Sequence, residues 1–394
     1  MLSGRGFRVL RSATKGGGSG AEMTIRFTPE DERFMRRALA LAARGRGSVE
    51  PNPMVGCVIV RAGQVVGEGW HRRFGGPHAE VHALREAGPQ AKGATCYVTL
   101  EPCCHHGKTP PCTDALQASG VRRVVVAMRD PFPKVAGRGF RLLRGAGIEV
   151  VAGLSEREAA ELNAPYLKLL RTGRPWVILK WAQSLDGRIA TRSGDSQWIS
   201  GERSRAWVHR LRGRVDGILV GRGTVLRDNP TLTCRLGRPR RQAVRLVLDR
   251  RLRTPLVSGI VRTAHRVPTM IVAERGEVDY RRAVALRKAG VEVVGICNGP
   301  GGLDLSELLD ELGRRRWTNL LVEGGGQAIG SFVDAGLADE AYVFVSPRLI
   351  GGTTAVSAVG GLGPETMKTL PRVRCVRIGR SGEDLLYHLR FSER

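Results

Sequence analysis

The chain reads as an α/β protein of two domains, and three observations say so. Short apolar strands alternate with helical patterns from Thr28 onward. That alternation is interrupted around Asn163 to Pro175, where Gly173 and Pro175 break the chain. A length of 394 residues supplies more than one ordinary core. The expected bounds are an appendage at 1–23, a first domain at 24–165 and a second at 174–394.

Met1 to Glu22 hold Arg, Ser and a Gly-Gly-Gly-Ser-Gly run, with Glu22 as their one acid. They fit a flexible tail, an organelle transit peptide or a start assigned ahead of Met23. Thr28-Pro29-Glu30-Asp31 then opens a helix: Thr caps it, Pro suits its first position and the acids suit its dipole. Phe34, Ala38, Leu41 and Ala42 follow at helical spacing, and Gly45-Arg46-Gly47 stops the run. Pro51-Asn52-Pro53 turns into an apolar strand reaching Val60, with Gln64 to Trp70 as its hairpin partner. His78 to Ala87 reads as a helix, Cys96 to Leu100 as a strand and Thr113 to Ser119 as a helix begun by Cys112. Strands at 121–128 and 148–151 complete the first half. In the second half strands are expected at 176–181, 215–220, 245–249, 269–273, 291–296 and 320–323. Helices between most of them make a mostly parallel sheet.

The net charge is +26, carried by Arg spread along the whole chain with no single basic stripe. That distribution argues for a taste for phosphorylated small molecules and against a nucleic-acid surface. No apolar run is long enough to cross a bilayer. Eight Cys in a long chain without an evident secretory signal indicate reduced thiols, hence the cytoplasm.

The chemistry concentrates between His78 and Cys112. His78-Ala79-Glu80 is followed by Pro102-Cys103 and, across a loop rich in His and Pro, by Cys112. An imidazole and two thiolates are the three protein ligands of a catalytic zinc, and they leave a fourth position for water. Zinc lowers that water's pKa to about 7, and a carboxylate that does not bind the metal, Glu80, can shuttle protons. Nucleobase deaminases carry H-x-E and then P-C-x-x-C; here the second thiol is displaced to Cys112. His82, four residues after His78, and His105 and His106 in the loop are weaker candidates, and His71 has no evident partner. Asn52 lies at a turn and reads equally as a turn former or a substrate contact.

Three segments mark a second site: Lys180 to Arg188 with Gly194 to Ser200, then Gly221 to Arg235, then Leu321 to Gly330. In the last, a buried strand gives way to Gly324-Gly325-Gly326 and a helix, whose bare amides can cradle phosphate. Each segment alone reads more readily as a tight turn.

The loop from Glu101 to Cys112 closely resembles that of the riboflavin-biosynthesis deaminases, which usually have Ser where this chain has Cys104. The later segments, in their order, resemble the reductases of the same pathway, and deaminase followed by reductase is the order of the bacterial bifunctional family. The resemblance runs from Glu30 onward. It implies a cytidine-deaminase-like α/β sandwich followed by a dihydrofolate-reductase-like α/β domain. Its implied metal ligands are His78, Cys103 and Cys112, with Glu80 catalytic. It implies NADPH at Ala182, Trp198, Thr224, Asp228 and the run Gly325, Gly326, Gln327, Ala328, Ile329, Gly330 and Ser331. A phosphorylated pyrimidine substrate would meet Ser196, Arg212, Leu232, Arg235 and Glu323 in the second site. Lys180 and Asp228 are charged groups near the hydride path. A homo-oligomer, without nucleic acid or membrane as partner, completes the expectation. Two alternatives stay open: a nucleic-acid base deaminase, and a non-catalytic zinc module closed by Cys104 with only the reductase active.

Overall fold

The computed structural model describes residues 27–107, 109–299 and 301–392, and the expected appendage at 1–23 lies outside them. The first half is built on five strands: β1 (Gly56–Arg61), β2 (Gln64–Trp70), β3 (Thr95–Leu100), β4 (Arg123–Met128) and β5 (Glu149–Ala152). Their order is β2-β1-β3-β4-β5. The hairpin β1–β2 and the pair β1–β3 are antiparallel, while β3, β4 and β5 run parallel. Both faces are covered, so the inner strands read as nearly continuous apolar runs.

Helix α1 (Pro29–Ala42) starts as expected. Thr28 Oγ1 accepts from the Asp31 amide at 3.1 Å, and the Thr28 amide donates back to Asp31 Oδ2 at 2.9 Å. Asp31 also takes the Tyr97 hydroxyl at 2.8 Å and Arg123 at 3.0 Å, which ties the cap to the sheet. Helix α2 (Ala79–Ala87) lies close on the hairpin. A Cβ on Gly69 would overlap the Ala79 carbonyl, so β2 needs bare backbone there. Helix α3 (Cys112–Ser119) follows the long loop.

The second half holds nine strands in one sheet: β6 (Trp176–Ser184), β7 (Gly217–Gly221), β8 (Val244–Leu248), β9 (Thr269–Glu274), β10 (Glu292–Ile296), β11 (Asn319–Val322), β12 (Glu340–Ser346), β13 (Val373–Ser381) and β14 (Asp384–Phe391). The order is β10-β9-β8-β7-β11-β6-β12-β14-β13. The first seven in that order are parallel. The expected strands lie within two residues of these bounds, save that β6 runs on to Ser184. The last three strands were not expected. β13 and β14 pair antiparallel at the sheet's edge, and β13 is largely exposed and carries Arg374, Arg377 and Arg380, so it shows no apolar run.

Within the expected boundary a helix forms, Ala164–Thr172, and Gly173 ends it at φ +69° ahead of Pro175. Lys168 Nζ of this connecting helix reaches Asp339 Oδ2 at 2.5 Å, and Arg241 Nη2 donates to the Glu50 carbonyl at 2.9 Å, so the second half is tied both to the connector and to the first half. Asp216, at the amino-terminal edge of the second sheet, accepts from the Thr318 and Asn319 amides, each at 2.9 Å, and pairs with Arg241. Among the described residues no helix is long and apolar enough to cross a membrane.

Candidate active sites

The end of β3 and the starts of α2 and α3 meet at one point. His78 is the residue just before α2, and Cys112 is the first residue of α3. Glu101 follows β3 and accepts from the amides of Gly137 and Gly139 at 2.9 and 3.0 Å, which holds the turn before Cys103. His78 Nδ1 then lies 3.4 Å from Cys103 Sγ and 3.3 Å from Cys112 Sγ. All three donor atoms fall within 4.8 Å of one another. One imidazole nitrogen and two sulfurs converging this way fit zinc. The Cys112 amide, at the start of α3, donates to Cys103 Sγ at 3.3 Å. A hydrogen bond from the Cys112 thiol, helped by His78, holds the Cys103 thiol down to about 4.

Glu80, on the first turn of α2, is buried beside the cluster, and burial pushes its carboxyl up. Glu80, His78 and Cys103 open into a cavity of about 500 Å³, lined also by Asn52, His71, His105, Thr109 and Asp130. Sequence reasoning found no role for His71. Its ring meets His78 edge-on with centroids 5.2 Å apart, and its buried Nε2 has no partner. Burial pushes the imidazole down to about 4. No motif announces it; the bend after β2 does the placing. His82 and His106 do not line the cavity. Cys104 stands outside the metal cluster, its sulfur directed at the Lys134 carbonyl at 3.6 Å, so a site closed by a third sulfur is not formed.

The second cleft, about 990 Å³, sits at the carboxyl ends of β6, β7 and β11. Ala182, Trp198, Thr224, Asp228, Gly325, Gly326, Gln327 and Ala328 line it, as do Ser196, Arg212, Arg235 and Glu323. Ile329, Gly330, Ser331 and Leu232 do not. Ile329 is packed in the core, a Cβ on Gly330 would strike Gly360, and Ser331 Oγ donates to the Gln327 carbonyl at 3.0 Å. Leu232 is buried beside a small neighbouring cavity. One turn of helix presents one face, so a run of seven consecutive residues cannot all reach the cleft.

Within the cleft Arg212 grips Glu323 at 2.7 and 2.8 Å, and Lys180 Nζ lies 3.9 Å from the same carboxylate. Burial would raise the Glu323 carboxyl, but Arg212 and Lys180 hold it below its ordinary value. Burial draws the Lys180 ammonium down, against the pull of Glu323. The Gly325 amide, just ahead of the helix Gly326–Asp334, donates to Thr224 Oγ1 at 3.2 Å. This glycine-flanked helix start beside a deep cleft fits a dinucleotide phosphate.

A zinc-ligand cluster with a buried carboxylate, joined to a parallel sheet with a glycine-headed cleft, defines a zinc deaminase fused to a reductase. Residues 28–128 match the family model of the cytidine and deoxycytidylate deaminase zinc-binding region, and residues 175–387 that of the RibD C-terminal domain. The riboflavin biosynthesis protein RibD of Escherichia coli is 45% identical over 366 residues, covering 91% of this chain and 99% of the relative. That of Bacillus amyloliquefaciens is 44% identical over 355 residues, covering 90% and 95%. The solved Acinetobacter baumannii RibD (form 1) superimposes with a TM-score of 0.81 at 39% identity, over 92% of this chain and 99% of that one. The chain therefore belongs to the RibD family of bifunctional deaminase/reductases of riboflavin biosynthesis.

Proposed function

We propose that the first cavity deaminates 2,5-diamino-6-ribosylamino-pyrimidinone 5'-phosphate and that the second cleft reduces the ribose of the product to a ribityl chain. The convergence of His78, Cys103 and Cys112 beside buried Glu80 is the observation that carries this reading. A Thermotoga maritima structure 37% identical to this chain bears the name diaminohydroxyphosphoribosylaminopyrimidine deaminase/5-amino-6-(5-phosphoribosylamino)uracil reductase, which supports the choice of substrates.

Zinc, when bound by those three side chains, supplies a water acidified to a pKa of about 7. Glu80 does the proton work: a carboxylate oxygen takes a proton from the water and returns it to the departing amine. Water adds, ammonia leaves, and the carbon that carried nitrogen carries oxygen. The burial of Glu80 beside the three ligands keeps bulk water from competing for that proton.

In the second cleft NADPH supplies a hydride to the ribose C1. The bond from C1 to the ring oxygen opens, and that oxygen needs a proton. Lys180 Nζ, lining the cleft 3.9 Å from the Glu323 carboxylate, is the group we assign to give it. Thr224, Asp228, Trp198 and the start of the helix Gly326–Asp334 form the wall assigned to the cofactor. Ser196, Arg235 and the Arg212–Glu323 pair form the wall assigned to the sugar phosphate.

Incubation with the pyrimidine, with and without NADPH, tests both halves by product mass. Without NADPH the product should have lost one amine, and with it the product should also gain two hydrogens. A cytoplasmic setting is supported by eight free thiols. Self-association is supported by Val373, Val376 and Ile378 lying uncovered on β13, and sedimentation would measure it.

A further inference from the structure

Part of the wall of the deaminase cavity comes from the other half of the chain. Gly313 and Arg316 line it, beside Leu169, Leu170 and Gly173. The helix Leu305–Arg314 brings them there. Its end presses on the connecting segment, since a Cβ on Gly313 would overlap the Gly173 carbonyl. Arg174 clamps the same helix through Asp310, Nε to Oδ1 at 2.6 Å and Nη2 to Oδ2 at 3.0 Å. Past the helix the backbone turns over through Arg316 at φ +61°, and the Trp317 amide donates to the Leu312 carbonyl at 3.1 Å. Glycine usually fills that left-handed position; here it holds an arginine.

The charges around the cavity leave this guanidinium unmatched. Glu101 is taken up by the amides of Gly137 and Gly139. Asp130 accepts from the Phe132 amide at 2.9 Å and the Tyr166 hydroxyl at 3.0 Å. Glu80 lies buried beside the metal cluster. Among the described residues Arg316 is the one Arg or Lys lining this cavity, and its guanidinium has no hydrogen bond or ion pair.

We propose that Arg316, a reductase-half residue, binds the 5'-phosphate of the substrate being deaminated. This rests on the substrate reading given above. A guanidinium's planar fork suits phosphate, and a cavity of about 500 Å³ accommodates a nucleotide-sized molecule. Deamination of the phosphorylated pyrimidine then depends on both halves of the chain, although the metal cluster lies wholly in one.

The test is ammonia release by the full, zinc-loaded chain from the phosphorylated pyrimidine and from the same compound without its phosphate. The variants are R316Q and R316G, the latter because glycine adopts φ +61° without strain. Both should lower kcat/KM for the phosphorylated compound about ten- to a hundredfold, the loss of one charge-assisted contact. Neither should change the rate on the dephosphorylated compound or the reduction of the deaminated product. Equal losses on both pyrimidines, or no loss on either, would overturn the proposal. Wild-type chain that releases no ammonia from either compound would instead sink the substrate reading, and this assignment with it.

Discussion

The guanidinium of Arg212 meets the carboxylate of Glu323 in a two-pronged clamp, Nε to Oε1 at 2.7 Å and Nη2 to Oε2 at 2.8 Å. Both side chains are largely buried in the second cleft. Removing one partner leaves the other charge buried without compensation, which typically costs about 3–5 kcal/mol. Glu323→Gln should therefore lower the denaturation midpoint and abolish reduction. Ammonia release measured below that midpoint should be unchanged.

Glu80→Gln should leave zinc content, measured by elemental analysis, at the wild-type level. Deamination should fall by at least the roughly hundredfold to ten-thousandfold that a general acid–base group supplies. Reduction of the already deaminated compound should continue. A joint loss of both activities would contradict separate sites.

Cys103→Ser and Cys112→Ser should each lower zinc content. Dialysis against a chelator should stop ammonia release from the wild-type chain while reduction persists, and added zinc should restore it. Cys104→Ser should retain zinc, because the Cys104 sulfur lies outside the cluster.

Glu340 predicts a pH dependence of stability. Its carboxylate accepts from Trp176 Nε1 at 2.8 Å, from the Tyr342 hydroxyl at 2.7 Å and from His388 at 2.6 Å. Burial opposes ionisation, but His388, Arg390 and the Tyr342 hydroxyl hold the group down at about 2, against an ordinary value of 4.5. A carboxyl depressed on folding stabilises fully above its unfolded pKa and stops doing so as pH falls through its folded one. The contribution, on the order of 3 kcal/mol, should be complete above pH 4.5 and fade toward pH 2. Denaturant unfolding of wild type and Glu340→Gln should show a gap at pH 7 that narrows at pH 3.

The first site was legible because its chemistry is local. His78 and Glu80 stand two residues apart, and few roles need an imidazole, a carboxylate and two thiols so close in the chain. His71 was not legible, because its approach to His78 depends on how the chain bends after β2. The clamp between Arg212 and Glu323 joins residues 111 positions apart, a pairing that no spacing announces. Six of the seven parallel strands were legible from their apolar runs, since both faces of the sheet are covered; β12 was missed although its run Ala341 to Phe344 is apolar and buried. β13 was not, because it lies exposed at the edge and is studded with Arg. Ile329 and Gly330 show the reverse case: a contiguous run was expected at the cleft, and the helix turns these two residues inward while Gly325 to Ala328 line it.

The seven parallel strands of the second half all point the same way, and this separates two kinds of evolutionary freedom. Residues that line the cleft gather where β6, β7 and β11 finish. At the other margin, where those strands begin, Asp216 and its bonds to Thr318 and Asn319 work as scaffolding. Substitutions along the first margin reach the cleft lining, and there the Arg212–Glu323 clamp ties any reshaping of the pocket to stability; those along the second touch scaffold alone. A lineage can therefore change the second margin while leaving the cleft as it was.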